Sequence, residues 1–154
     1  MAVDIRTEIA LNRPLDRVAA FAADPTHAPE WYVNIHSIEW LTPPPLEVGS
    51  RMAFVAKFLG RRLAYTYEVV EYQPGARLVM RTSEGPFPME TTYTWEAVDE
   101  NRTRMTLRNQ GNPSGFSSLV APFMGAAMRQ ANRKDLALLK EILEQTGTSH
   151  PALD

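Results

Sequence analysis

The chain has 154 residues, a net charge of −2 and no cysteine, which suits one domain that buries about two-thirds of its unfolded surface without a metal or disulfide staple. The missing thiols exclude cysteine nucleophiles, thiolate metal sites and disulfides, and the interspersed charge argues against a nucleic-acid tract or a polybasic membrane anchor. The start, MAVDIRTEIAL, lacks the apolar core of a signal peptide, and no apolar run reaches membrane-span length, so a soluble cytoplasmic protein without integral membrane association is expected.

Val3, Ile5, Ile9 and Leu11 share one parity while Asp4, Arg6 and Glu8 take the other, the pattern of a half-buried strand. Pro14 then opens a short amphipathic helix through Leu15, Val18, Ala19 and Phe21/Ala22. Pro25 and Pro29 break it, and Glu30-Trp31-Tyr32 falls in a second short helical piece. From about residue 35 to 110 strands alternate with turn chemistry. Gly49-Ser50 closes a proline-rich loop, Gly60 marks a tight turn, and Pro74-Gly75 is the pair a type II turn requires. Pro113-Ser114-Gly115, with Ser114 as N-cap, precedes a helix expected from about 115 to about 145. The domain is expected to span 1–147, followed by a flexible tail over 148–154.

Hairpin registers test this assignment. A turn at Asp99–Asn101 sets Glu96 opposite Arg104 and Thr94 opposite Thr106 on one face, with Trp95 opposite Met105, Tyr93 opposite Leu107 and Thr91 opposite Asn109 on the other. The Pro74-Gly75 turn pairs Glu68 with Arg81, Val69 with Met80 and Tyr67 with Thr82. A turn at Gly60-Arg61 pairs Phe54 with Tyr67 and Ala56 with Tyr65. All three place charge on one face and apolar groups on the other, as cross-strand energetics favour. The inner face then carries Met52, Phe54, Phe58, Tyr65, Tyr67, Val69, Met80, Thr82, Thr91, Tyr93, Trp95, Met105, Leu107 and Asn109. The long helix offers a covering apolar stripe that includes Phe116, Leu119, Val120, Phe123, Met124, Met128, Leu138, Leu139, Ile142 and Leu143. The class is α+β: a curved seven-stranded antiparallel sheet around a long C-terminal helix, with two short helices between strands one and two.

The segments LNRPLDRVAAFAADP, EWYVNIHSIEWLTPPPLEVGSR, YTYEVVEYQPGARLVMRT and DLALLKEILEQ resemble the START-like superfamily, also called SRPBCC or helix-grip, and within it the polyketide cyclase/dehydrase-like group. The likeness spans nearly the whole chain. It implies the helix-grip fold and an internal cavity. The superfamily includes lipid-transfer domains, coenzyme Q-binding proteins, hormone receptors, aromatase/cyclases and co-chaperones, so the fold does not by itself assign chemistry.

The expected ligand wall comprises Trp31, Phe54, Phe58, Tyr65, Tyr67, Met80, Thr82, Thr91, Tyr93, Trp95, Met105, Leu107, Asn109, Phe123, Met124 and Met128. Its hydroxyls and amide either orient a neutral or weakly polar ligand or bond to one another in a collapsed core. Trp31 and Tyr32, facing Phe87, form either a lid or a staple between the short helices. Met124 and Met128 suit an adaptable surface, although plain core is the commoner role. Glu68–Arg81 and Glu96–Arg104 read as exposed ion pairs, with a buried Glu68–Arg81 pair as the sharper alternative. Glu90 falls on the outer parity unless the adjoining prolines hide a bulge. Asn132 and Asp135 are read as helix-edge residues in water, with a cavity-facing placement as the alternative. Arg129, Arg133 and Lys134 read as a solvated face. Neither His27, His36 nor His150 has a metal-like spacing, so no metal and no cofactor is expected. The leading expectation is a protein that binds or carries a hydrophobic polyketide, isoprenoid or lipid. A cyclase/dehydratase-type enzyme and a co-chaperone-like interaction module are the alternatives.

Overall fold

Alternating apolar residues from Val3 onward build the first strand, β1 (Val3–Leu11), whose odd positions are buried except at Ile9, which is half-buried. The computed structural model describes residues 3–112 and 121–149. After β1 come α1 (Leu15–Ala23), a 3-10 turn (Pro25–His27) and α2 (Ala28–Trp31). Pro14 sits one residue outside α1 as its N-cap, where its carbonyl accepts from the Val18 N–H at 3.1 Å. Asp24 ends α1 and accepts from the Thr26 N–H at 2.9 Å, which starts the next turn. Pro29 lies in the first turn of α2, so it begins that helix rather than breaking one.

Six further strands follow: β2 (Ile35–Trp40), β3 (Arg51–Phe58), β4 (Arg61–Gln73), β5 (Arg77–Glu84), β6 (Met89–Asp99) and β7 (Arg102–Gly111). They form one antiparallel sheet in the order β1-β7-β6-β5-β4-β3-β2. The β6–β7 pairs run as expected, with Trp95 opposite Met105, Tyr93 opposite Leu107 and Thr91 opposite Asn109. So do Tyr67 with Thr82 and Val69 with Met80 across the Pro74-Gly75 turn, where Gly75 has φ +78°. The third hairpin differs. Phe54 faces Tyr65 and Ala56 faces Leu63, because the turn is the two-residue Leu59-Gly60 rather than Gly60-Arg61. The register moves by two residues, so the inward side chains remain inward.

The outer ion pairs also rearrange. Glu96 meets Arg104 at 3.9 Å, but Arg81 turns from Glu68 to Glu90, 2.8 Å away on β6. Glu90 therefore keeps the outer parity. His27 forms its contact with Glu30, at 2.5 Å.

A 3-10 turn (Ala121–Phe123) leads into α3 (Met124–Ser149). The apolar stripe predicts a continuous helix through this point, and the structure departs from it. Pro122 lies within the 3-10 turn, and the described α-helix begins at Met124. The expected N-cap Ser114 and the stripe residues Phe116, Leu119 and Val120 lie outside the described residues. The helix runs to Ser149, a little beyond its expected end near 145. Its 26 residues span about 39 Å across the concave side of the sheet. Leu136, Leu139 and Leu143 enter a core with Leu11, Val18, Trp31, Met105 and Leu107. The Arg13 guanidinium and the Lys140 ammonium fasten this half of α3 to the end of β1 through backbone carbonyls. Among the described residues no helix is long and apolar enough to cross a membrane.

Candidate functional site: an apolar cavity with a polar wall

Between the sheet, α3 and the α1–α2 segment lies a partly open cavity of about 150 Å³. Ten of the sixteen expected wall residues line it. Phe54, Phe58 and Met80 from the strands and Met124 and Met128 from α3 supply an apolar wall, joined by Phe87 from the β5–β6 connection and Met89 at the start of β6. Tyr65, Tyr67, Thr91, Tyr93 and Asn109 supply hydroxyls and an amide, joined by Tyr32, Asn132 and Asp135.

The other six stand elsewhere. Trp95, Met105 and Leu107 share the inner parity but are packed in solid core, because α1 closes over that end of β6 and β7. Trp31 is fully buried behind the cavity, with its ring 4.2 Å from that of Tyr32 and 5.8 Å from that of Tyr93. It is a staple, and Tyr32 rather than Trp31 faces the space. Thr82 accepts from the Met89 N–H at 3.0 Å and so holds the β5–β6 connection shut. Phe123 points outward, 67 % exposed, in the 3-10 turn Ala121–Phe123.

The polar wall is organised into two networks. Thr91 donates its single hydroxyl hydrogen to Asn109 Oδ1 at 2.7 Å, so Tyr67 donates to Thr91 at 2.7 Å. Asn109 Nδ2 donates in turn to Asn132 Oδ1 at 3.0 Å. The chain ends at Asn132 Nδ2, a buried amide with no partner among the described residues. Leaving such a donor unsatisfied costs about 1–3 kcal/mol. In the second network the Tyr32 and Tyr93 hydroxyls bond to each other at 2.7 Å, so one of their two hydrogens remains to be donated.

Asp135, 2 % exposed, is the residue that sequence reasoning places on the wrong side. Its carboxylate accepts the Val33 N–H at 2.9 Å, tying α3 to the α2–β2 loop. Burial raises its pKa to about 7, against the lowering effect of the Val33 bond. Asn132 is misplaced in the same way and is 4 % exposed. The available signal is helical phase: these residues follow Met128 by four and seven positions, on the stripe that covers the sheet.

The tyrosines titrate far from neutrality. Burial pushes Tyr67 up to about 12, against the lowering bond from Thr91. Tyr32, Tyr65 and Tyr93 are raised by burial, and the Asp135 charge adds to each. They are therefore neutral hydrogen-bond donors near neutral pH. The wall holds hydroxyls and amides beside a single carboxyl that changes charge near pH 7, surrounded by aromatic and thioether surface. Such a wall can bury an apolar body, hold one or two oxygens, and take or give one proton.

A family-wide sequence profile described as polyketide cyclase/dehydrase and lipid transport matches residues 2–144. No curated protein matches the chain. Among solved structures, the Zhui aromatase/cyclase from Streptomyces sp. R1128 superposes with a TM-score of 0.79 at 14 % identity, over 94 % of this chain and 95 % of that one. A START superfamily protein from Mycobacterium smegmatis gives 0.79 at 11 % identity, over 93 % and 98 %. The di-domain aromatase/cyclase BexL of the BE-7585A biosynthetic pathway gives 0.70 at 20 %, over 92 % of this chain and 46 % of that one. At these identities the likeness is one of fold.

Proposed function

The chain belongs to the polyketide cyclase/dehydrase and lipid transport family, and from that premise we propose that its cavity binds one mainly apolar small molecule bearing carbonyl or hydroxyl groups. The observation that carries this reading is the unpartnered Asn132 Nδ2 beside a row of neutral tyrosine hydroxyls in an otherwise apolar space. A ligand oxygen satisfies that amide, and burial of the ligand body supplies the affinity at about 25 cal/mol per Å². A cavity of about 150 Å³ is on the scale that takes one aromatic ring as it stands. Longer isoprenoid or polyketide chains extend through its open side. Trp31 and Trp95 report the event, since both rings pack on Tyr93 and that of Trp31 also on Tyr32. Titration with phenols and aryl ketones is expected to change the tryptophan emission saturably, and their hydrocarbon analogues are expected to bind more weakly. Equal response to both classes contradicts the polar-wall reading.

Asp135 favours a second reading, in which the bound molecule undergoes proton transfer. A carboxyl near pKa 7 beside tyrosine donors suits removal of a proton next to a carbonyl that a tyrosine or Asn132 holds. Solvent deuterium then enters that carbon of a bound ketone faster than in buffer, and Asp135→Asn abolishes the gain. Binding without exchange leaves the carrier reading alone.

A further inference from the structure

Asp4, Asp99 and Glu144 each sit against a cation, supplied by Arg108, Arg102 and Lys140. Asp135 is far more deeply buried than any of them and has none: its one stabilising contact is the Val33 N–H on Oδ1. Its Oδ2 has no partner among the described residues. The side-chain atoms sealed away there without a partner are Trp31 Nε1, Trp95 Nε1 and Asn132 Nδ2, all of them donors. Oδ2 is therefore open to the cavity that Asp135 lines.

The titratable groups that face Asp135 are the hydroxyls of Tyr32 after α2, Tyr65 on β4 and Tyr93 on β6, each raised in part by its charge. On its own helix the neighbouring Arg133 and Lys134 are exposed. Among the described residues no lysine, arginine or histidine lines the cavity. Once ionised, Asp135 thus gives the space a negative charge that nothing in the wall balances. The surface around it is aromatic. The rings of Phe54 and Tyr67 stand 5.6 Å and 5.1 Å from that of Tyr65, tilted by 24° and 66°, so that faces and edges both reach the space.

A buried carboxylate without a counter-charge is costly, and a cation that enters removes that cost. A bare metal ion needs several ligands at once, and no group of three acidic or histidine side chains suited to one occurs among the described residues. An organic ammonium needs a single carboxylate, accepts the ring faces as further partners and brings its own apolar body. A carboxylate or phosphate ligand instead meets repulsion. We propose that the molecule held in this cavity carries an amine, bound as an ammonium by Asp135 Oδ2 and the neighbouring tyrosine rings. The inference rests on the cavity reading above and adds the charged group of its ligand, while Asn132 Nδ2 takes the oxygen.

The test is calorimetric titration of the full chain with benzylamine, benzyl alcohol and benzoate, three probes with one ring and different charge. At pH 8 benzylamine is expected to bind about tenfold more tightly than benzyl alcohol, and benzoate more weakly than either. At pH 5 Asp135, which titrates at about 7, holds its proton, and the advantage of the amine is lost. At pH 7 the bound ammonium draws the carboxyl into its ionised form, so about half a proton is released per benzylamine bound. That release is read from the dependence of the heat on the buffer. In Asp135→Asn the preference for amine over alcohol disappears. Benzylamine that binds no more tightly than benzyl alcohol at pH 8 overturns the proposal. So does a preference that is equal at pH 5 and pH 8, a titration without proton release, or a folded Asp135→Asn variant that keeps the preference. Aryl ketones are read separately by tryptophan emission. If they bind while benzylamine gains nothing, the amine alone is overturned; if ketone, alcohol and amine all fail to bind, the cavity reading falls with it.

Discussion

Replacing Asp135 by Asn isolates the energetic consequence of a carboxyl in the cavity wall. The amide is isosteric, and its Oδ1 can still accept from the Val33 N–H, so the change removes the ionisation and little else. In the folded chain the Asp135 carboxyl titrates at about 7, raised by burial, whereas an unfolded aspartate titrates near ~3.9. Between those values the unfolded chain has released the proton and the folded chain still holds it. Stability contributed by this group is therefore complete below about pH 4 and is lost as pH rises toward about 7. A gap of about three pH units at about 1.4 kcal/mol each amounts to a loss on the order of 4 kcal/mol. Urea unfolding at pH 5 and pH 8, followed by tryptophan emission, reads it. Subtracting the profile of the Asp135→Asn variant cancels every other titrating group. The stability of the variant relative to wild type is expected to grow by about 2.5–3 kcal/mol between pH 5 and pH 8, the part of the total that falls in this window. A constant difference between the two proteins across that range refutes the placement of Asp135 in a water-poor wall.

Three further substitutions probe the same geometry. Ala56→Leu pushes a larger side chain from β3 into the cavity; it is expected to abolish tryptophan quenching by aryl ketones and leave the melting temperature within a few degrees, both read in one fluorimeter. Asn109→Leu strips the middle of the Tyr67–Thr91–Asn109–Asn132 chain, leaving two buried groups without partners, and is expected to cost about 2–5 kcal/mol in urea titration. Leu139→Ala hollows the core on the far side of the cavity; it is expected to cost about 3 kcal/mol in the same assay with ligand affinity retained once the protein is folded.

The hairpins are legible because two local codes agree in them. Pro74-Gly75 and Asp99–Asn101 name the turns, and the pairs Trp95–Met105 and Glu96–Arg104 then match like with like across the strands. At Leu59-Gly60 the turn residue itself misleads, since leucine is an improbable occupant of a positive-φ position, yet the two-residue slip leaves every face intact. Which part of the inner face stays open is not legible. Parity puts Trp95 and Tyr93 on the same side, but only the packing of α1 over β6 and β7 makes one core and leaves the other at the cavity. Asn132 and Asp135 are misread because a polar residue on a helix usually faces water. Here the stripe they interrupt is the one that seals the sheet, and their side chains are held by Asn109 and by the Val33 N–H. Pro122 sits in a 3-10 turn inside the apolar run, and its neighbour Phe123 is exposed rather than packed on the sheet.

Native mass spectrometry of freshly purified protein, followed by solvent extraction, tests the presence of a ligand-holding cavity most directly. One discrete added mass is expected, native or recovered from a panel of quinones, aryl ketones and polyketide mimics, that extracts as an oxygen-bearing apolar compound and is displaced in Ala56→Leu. A clean apo mass that no member of the panel shifts, in the folded wild-type chain, contradicts it.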